Sequence, residues 1–581
     1  MRRRFISLGV MVGMVAVLLS FLTAISPTEV QAQYPVPREQ AVVVETDTNY
    51  RVFDKANPFI PNGTQWGSGW HQLANEWDWY INYATGETIY WRITGWEYSP
   101  DHMQITWRVR KGVTWNDGKP YTAEDIVFTI NTLLEDPGLG GASNVSNVAS
   151  ARTTDQYTAV IRFKKPDYRF HHVFRMWGGP AIVAKHVWEG KNPREIQNWP
   201  PVETGPYKLY GVYSDLKLFV WERRDDYWAK SAFGVSSGPK YVIFRIAPPP
   251  DLDLADFVKG AVDATLPHIF TFQMIKSAQR QTSNVVVAPF MDAVSQGISS
   301  FNTAKYPLSL PEFRWAIQYL VNREKHARVY PMAEKSYPTM WPWPDWKSID
   351  KWEFKEIADK YGPRLKYDPA EAARILDQLG FRRGSDGFRR TPQGQALDFT
   401  LLTRNAPDVG FPHAQDLSDE LRKIGIRSNL RAVDAGVFGD LVNTGNYDIA
   451  FDVLEIYTSF PNDPWQFIDS YHSKHAKPIG EIQNSGDRTK SRLKAPELDA
   501  IADKMAVTDP DSREYQELAK KGMDVWFQNL PSVPAVEKMF VQTFSDKYWT
   551  GWPTEGNMYH VPYQWWPEFI FVLFNLRPAG G

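Results

Sequence analysis

Residues 105–134 constrain the fold more than any other stretch of the chain. Apolar side chains alternate with polar ones at Ile105, Trp107 and Val109, as is typical of a half-buried strand. A turn rich in Asn, Asp, Gly and Pro follows, and Thr122 can then cap a helix whose first turn is acidic. The segment therefore predicts a strand, a tight turn and an amphipathic helix, and hence an α/β domain.

Length and composition exclude several classes of protein. A chain of 581 residues is too long for one hydrophobic core and predicts at least two domains. Its 65 Lys and Arg residues nearly balance 67 Asp and Glu residues, whereas a nucleic-acid binder needs a basic surplus. The absence of cysteine removes disulfides, thiolate nucleophiles and cysteine metal sites.

The amino terminus has the pattern of a secretory signal. Arg2, Arg3 and Arg4 precede an apolar run over residues 5–25, and the small residues around Ala32 fit a cleavage site. We expect residues 1–32 to be a signal peptide that places the protein in the periplasm or elsewhere outside the cytoplasm. An uncleaved membrane anchor is the alternative, because the apolar run approaches the roughly 20 residues that span a bilayer.

The exact amino-acid sequence of residues 105–134 gives more information than its periodicity alone. It resembles the signature of the family 5 extracytoplasmic solute-binding proteins, the dipeptide and oligopeptide receptors of ABC importers. The matching residues are Arg110, Lys111, Gly112, Asp117, Gly118, Thr122, Ala123, Glu124 and Asp125. Later segments resemble the family in the right order, among them a helix at 313–325 and a Leu-Pro-x-x-Pro passage at 530–534.

A turn of the family is also present at residues 203–209. Glu203 stands where the family has the first glycine of its G-T-G-P-Y motif. Gly205 is expected to adopt a backbone shape that is closed to other residues, and Pro206 to fix the exit of the turn.

The resemblance implies a two-lobed periplasmic-binding-protein type II fold with an extra subdomain inserted in lobe 1. Lobe 1 is expected at 33–60, 200–295 and 535–581, the inserted subdomain at 61–199, and lobe 2 at 296–534. A small solute would be held between the lobes, and its binding would stabilise their closed form. The expected partners are this solute and ABC permease subunits, the protein itself being a monomer without a cofactor.

Aromatic residues are concentrated between positions 66 and 98. They either form ordinary core packing or belong to a loop that lines a cleft. In the peptide receptors an aspartate that pairs with the peptide's amino terminus would align with Phe460, and a phenyl ring cannot replace it. We therefore expect an oligosaccharide as the ligand, with a peptide as the alternative. The expected ligand contacts are the stacking residues Trp66, Trp70, Trp177, Phe460 and Trp465 and the polar residues Asn462 and Asp463.

Catalytic motifs are absent from the sequence. There is no phosphate-binding loop, no His-Glu-x-x-His pair and no Gly-x-Ser-x-Gly elbow. His171 and His172, read as strand residues, would point to opposite faces, so no metal site is expected there. A secreted glycoside hydrolase that uses two carboxylates is a less favoured alternative than an oligosaccharide-binding or a peptide-binding protein. No catalytic residue is assigned.

Overall fold

A computed structural model describes residues 34–46, 53–175, 179–329, 336–405, 410–454, 463–483 and 490–580. The predicted signal peptide, residues 1–32, lies outside these residues. Within the described ranges, no helix combines the length and the apolar character needed to cross a bilayer.

Helices and strands are mixed along the chain. The strands of the described residues are β1 (Ala41–Thr46), β2 (Trp79–Asn82), β3 (Glu87–Tyr90), β4 (Ile93–Tyr98), β5 (Gln104–Val109), β6 (Val148–Asp155), β7 (Thr158–Phe163), β8 (Tyr207–Tyr213), β9 (Leu218–Arg223), β10 (Tyr241–Ile246), β11 (Val286–Phe301), β12 (Asp398–Arg404), β13 (Arg427–Val433), β14 (Ile449–Leu454), β15 (Val533–Phe544), β16 (Trp549–Thr550) and β17 (Arg577–Pro578).

The α-helices alternate with these strands. They are α1 (Ala123–Glu135), α2 (Lys185–Trp188), α3 (Ala229–Phe233), α4 (Pro250–Lys259), α5 (Phe272–Gln281), α6 (Pro311–Gln318), α7 (Arg323–Val329), α8 (Lys355–Tyr361), α9 (Pro369–Gln378), α10 (Phe411–Lys423), α11 (Ala435–Thr444), α12 (Trp465–Ser470), α13 (Pro496–Ala506), α14 (Arg513–Asn529) and α15 (Phe569–Leu573).

Two four-stranded sheets come from the first half of the chain. One has the order β1-β10-β9-β8, in which β1 and β10 are parallel and the other pairs antiparallel. The other is an antiparallel sheet of order β4-β5-β7-β6, whose strands all fall between β1 and β8 in the chain. This arrangement agrees with an insertion into lobe 1, although the bounds of the lobes and of the subdomain stay predictions.

The sheet of the second lobe has the order β13-β12-β14-β11-β15. Its strands β11 and β15 are long and antiparallel, and they run back towards the first lobe. There, Ala264 bridges both Val44 of β1 and Phe544 of β15. The two lobes are thus joined by a pair of crossover strands, which Asp292 and Lys538 link by an ion pair of 3.1 Å.

The segment from 105 to 134 folds as predicted. Ile105, Trp107 and Val109 are buried in β5. The Thr122 hydroxyl accepts a hydrogen bond from the N–H of Glu124, and the Asp125 carboxylate accepts one from the N–H of Thr122, which completes a capping box at α1.

β11 extends over 16 residues, although Pro289 and Gly297 interrupt its apolar pattern. One local prediction is wrong. His171 and His172 lie in a 3-10 turn rather than a strand, with ring centroids 4.0 Å apart.

The reason for glycine at position 205 also differs from the prediction. The φ of Gly205 lies outside the left-handed region. Instead, the carbonyl oxygens of Leu73 and Ala74 would stand 2.2 and 2.4 Å from an added Cβ. The residue is therefore required by close backbone packing, and it holds the 203–209 turn against residues 70–74.

Candidate functional site

A cavity of about 370 Å³ lies between the loop at 58–77 and the turns at 140–144 and 179–181. Its volume is within the range of about 300–1,000 Å³ that is typical of small-molecule sites. No charged side chain is among its described lining residues, which are Pro58, Thr64, Trp66, Trp70, His71, Trp77, Gly140, Gly141, Asn144, Gly179, Pro180 and Ala181.

Trp66 is the aromatic residue of this cavity that remains half-buried rather than buried. Its ring is stacked on that of His71, with centroids 3.7 Å apart and planes 6° apart. It is also stacked on Trp565, at 5.1 Å and 25°. These two neighbouring rings fix the orientation of the Trp66 indole.

His71 carries two polar atoms without a partner. Both ring nitrogens are buried and form no hydrogen bond to any residue that the structure describes. Burial lowers the pKa of His71 to about 3, so the imidazole is neutral at physiological pH. The buried Nε1 of Trp77 likewise has no hydrogen bond within the described ranges. Residues that line the cavity thus carry polar groups, but no charge.

Trp70 is held in place by the carboxyl group of Glu203, the residue that replaces the first glycine of the family's turn motif. The indole Nε1 of Trp70 donates to Glu203 Oε1 at 3.0 Å, and Asn198 Nδ2 donates to the same oxygen at 3.3 Å. Burial raises the pKa of Glu203 to about 8, although these hydrogen bonds act in the opposite direction. Glu203 therefore positions a wall of the cavity.

Asp463 and Trp465 lie in a second cluster, at the start of α12. The Asp463 carboxylate accepts hydrogen bonds from Arg169 and from the Tyr515 hydroxyl. The Arg169 guanidinium also lies over the Trp465 ring, with Cζ 4.8 Å from the ring centroid. The indole N–H of Trp465 donates to the carbonyl of Ala502 at 2.9 Å.

Of the predicted ligand contacts, Trp66 and Trp70 are brought together in the cavity. Asp463 and Trp465 are brought together in the other cluster, where both carboxylate oxygens of Asp463 already have protein partners. Trp177, Phe460 and Asn462 lie outside the described residues. A role in binding remains a prediction for all seven.

Sequence reasoning missed His71, Trp77 and Trp565 as neighbours of Trp66. The spacing of Trp66, Trp70, His71 and Trp77 along one loop could have indicated that they share a site. Nothing local indicates Trp565, because almost 500 residues separate it from Trp66. The presence of Glu203 in place of the family's glycine could have indicated its contact with Trp70, since a buried carboxyl group needs a hydrogen-bond partner.

The aromatic segment at 66–98 is mostly core rather than a loop that lines a cleft. Trp79, Tyr80 and Trp91 are buried, and β2, β3 and β4 occupy much of the segment. Tyr83 contacts Trp346 of the second lobe at 4.5 Å between ring centroids.

Metal-binding geometry is not found in the described ranges, where no group of three or more His, Asp or Glu side chains could hold an ion. His171 and His172 are paired with aromatic neighbours instead, His171 lying 4.8 Å from the Trp96 ring. Burial lowers the pKa of His171 to about 3 and also lowers that of His172.

Two α/β lobes joined by paired crossover strands define a periplasmic-type binding protein. The fold is that of a periplasmic oligopeptide-binding protein of an oligopeptide ABC transporter from Thermotoga maritima. That structure is 24% identical, with a TM-score of 0.80, and the match covers 93% of this chain and 99% of the other. A structure of the same Thermotoga protein with mannohexaose bound is 24% identical, with a TM-score of 0.74 over 94% and 100% of the two chains.

Sequence comparison identifies the family. The model described as "bacterial extracellular solute-binding proteins, family 5 middle" matches residues 87–478, well over half of the chain. A probable peptide-binding protein of Agrobacterium fabrum, YejA, is 24% identical over 475 residues, which are 74% of each chain. This chain belongs to the family 5 bacterial extracellular solute-binding proteins. Such proteins bind solutes for ABC transporters and are not enzymes, as the resemblance predicted.

Proposed function

We propose that this protein captures a neutral oligosaccharide outside the cytoplasm and delivers it to the permease subunits of an ABC importer. Binding takes place after export by the signal at residues 1–32. The two lobes close on the solute, and the permease recognises the closed form. The protein acts as a monomer and leaves the solute unaltered.

The observation that carries this proposal is the composition of the Trp66 cavity. Its described wall combines three tryptophans with Thr64, Asn144 and the neutral His71, and it has no carboxylate, ammonium or guanidinium group. Sugar rings have apolar C–H faces that pack on indole rings, and their hydroxyl groups both donate and accept hydrogen bonds. The side chains of Thr64 and Asn144 can exchange hydrogen bonds with such hydroxyl groups.

A peptide fits this wall less well. A peptide with free termini brings an ammonium and a carboxylate, and burying an unpaired charge costs several kcal/mol. Phe460 also stands at the position where the peptide receptors are expected to have their aspartate. The Thermotoga structure gives independent support, because a protein named for oligopeptides holds mannohexaose.

A peptide remains the second candidate ligand. The relative from Agrobacterium fabrum is named as a probable peptide-binding protein. A relative from Salmonella choleraesuis is named as a glutathione-binding protein, and it is 23% identical over 78% of this chain and 81% of its own length. Peptide binding by the present protein would require a charged contact outside the described wall of the cavity.

Titration followed by tryptophan fluorescence distinguishes the two ligands. We expect saturable binding of manno-, cello- or xylo-oligosaccharides and none of di- to pentapeptides. In Trp66→Leu, loss of the stacking ring should weaken oligosaccharide binding at least about tenfold. Trp96→Leu is the matched control, since Trp96 is also a half-buried tryptophan but lies outside the cavity. Binding of peptides alone would refute the proposal.

A further inference from the structure

Arg169 occupies a buried socket that is built entirely from the second lobe. Its Nε donates to Asp463. Its Nη1 donates to the carbonyl of Ala506 at 3.2 Å, and its Nη2 to the carbonyl of Met505 at 3.1 Å. The guanidinium carbon lies 5.3 Å from the ring centroid of Tyr515, and the Trp465 ring described above lies beside it. The side chain of Arg169 is only 8% exposed.

Three features of the socket favour the binding of a guanidinium group. The carbonyls of Met505 and Ala506 are at the carboxyl end of α13, where the helix dipole favours a cation. Asp463 supplies the opposite charge, and its second oxygen is held by the Tyr515 hydroxyl. Two aromatic faces complete the site. A lysine has a single ammonium group and cannot reach all three acceptors in the way the planar fork of arginine does.

Arg169 itself belongs to the other half of the molecule. It follows β7, one of the two inner strands of the β4-β5-β7-β6 sheet, in a segment that leads to the 3-10 turn at 170–172. Asp463, Met505, Ala506 and Tyr515 all belong to the part of the chain between β11 and β15. The contact therefore joins the two sides that the crossover strands connect.

We propose that Arg169 is a latch that stabilises the closed arrangement of the lobes and leaves its socket when they open. This inference rests on the lobe movement in the proposed function, but not on the identity of the solute. Separation of the lobes by rotation about β11 and β15 removes the arginine from the carboxylate and from both carbonyls together, because all three belong to one lobe. Those contacts are made in the closed state alone, so they bias the equilibrium towards closure.

The absence of native cysteine makes a direct distance measurement practical. Spin labels at Arg152→Cys and Asp440→Cys, both exposed, report the separation between β6 and α11 by pulsed electron resonance. In Arg169→Met without ligand, we expect the fraction of molecules at the longer distance to rise at least about tenfold. Arg169→Lys should give an intermediate rise. Arg162→Met, an exposed arginine of β7, is the matched control and should leave the distribution unchanged.

Tyr515→Phe provides a milder test if Arg169→Met folds poorly, since it removes only the hydroxyl that orients Asp463. We expect a smaller shift in the same direction. Mannohexaose is the ligand for this experiment, and its addition should restore the shorter distance in all variants. It should dissociate faster from Arg169→Met than from the unmutated protein. The latch is refuted if the distributions of Arg169→Met and the unmutated protein coincide. If the lobes move but mannohexaose has no effect, the oligosaccharide assignment fails and the latch stands.

Discussion

Replacing Glu203 by Gln tests the description of the cavity wall through its pH dependence. The carboxyl pKa is raised by burial from the ordinary 4.5 to about 8. Below pH 4.5 both the folded and the unfolded chain keep the proton. Between pH 4.5 and 8 the unfolded chain loses the proton while the folded chain keeps it, so the contribution of Glu203 to stability is lost as the pH rises.

The size of this effect follows from the two pKa values. Between pH 5 and pH 7, the free energy of unfolding should fall by about 2.5 kcal/mol because of Glu203 alone. Glutamine does not titrate, and its amide oxygen can still accept from the Trp70 indole. Glu203→Gln should therefore become more stable relative to the unmutated protein by about 2.5 kcal/mol over this range.

Urea unfolding followed by circular dichroism measures this difference at the two pH values. Glu135→Gln is the control, because Glu135 is an exposed carboxylate at the end of α1. A change with pH for Glu203→Gln no larger than that of the control would refute the raised pKa, and with it the buried carboxyl group behind Trp70.

Three further changes test other parts of the structure. Gly205→Ala should lower the free energy of unfolding by about 3 kcal/mol in a urea titration, because its Cβ would meet the carbonyl of Leu73; a change below about 0.5 kcal/mol would contradict that packing. Thr122→Ala should cost about 1 kcal/mol in the same assay, whereas no loss would mean that the cap is not formed. Oligosaccharide affinity measured by calorimetry should be constant from pH 5 to pH 7, since His71 with its pKa of about 3 stays neutral; a tenfold loss at pH 5 would show that it becomes charged.

The elements with local signals were predictable from the sequence. The strand at 105–109 and the helix that begins after Thr122 depend on neighbouring residues, so their periodicity and cap were sufficient. β11 was not recognised at its full length, because Pro289 and Gly297 break the alternation and the strand is defined by its pairing with β14 and β15. Pairing between distant segments leaves little trace in local sequence.

The same limit applied to the candidate site. Trp66 and Trp70 could be chosen because aromatic residues near glycines stand out in a sequence. The ring of Trp565 and the carboxyl group of Glu203 reach the site through the fold, so only the structure shows that they support it. Asp463 was predicted as a polar ligand contact, and in the structure its charge is matched by Arg169.

A crystal structure of the protein grown with mannohexaose tests the central claim most directly. The account predicts a sugar ring packed against the indole of Trp66, with a hydroxyl group within hydrogen-bond distance of Thr64 or Asn144 and every glycosidic bond intact. A cavity that stays free of sugar while the protein crystallises with a peptide between its lobes would contradict the account.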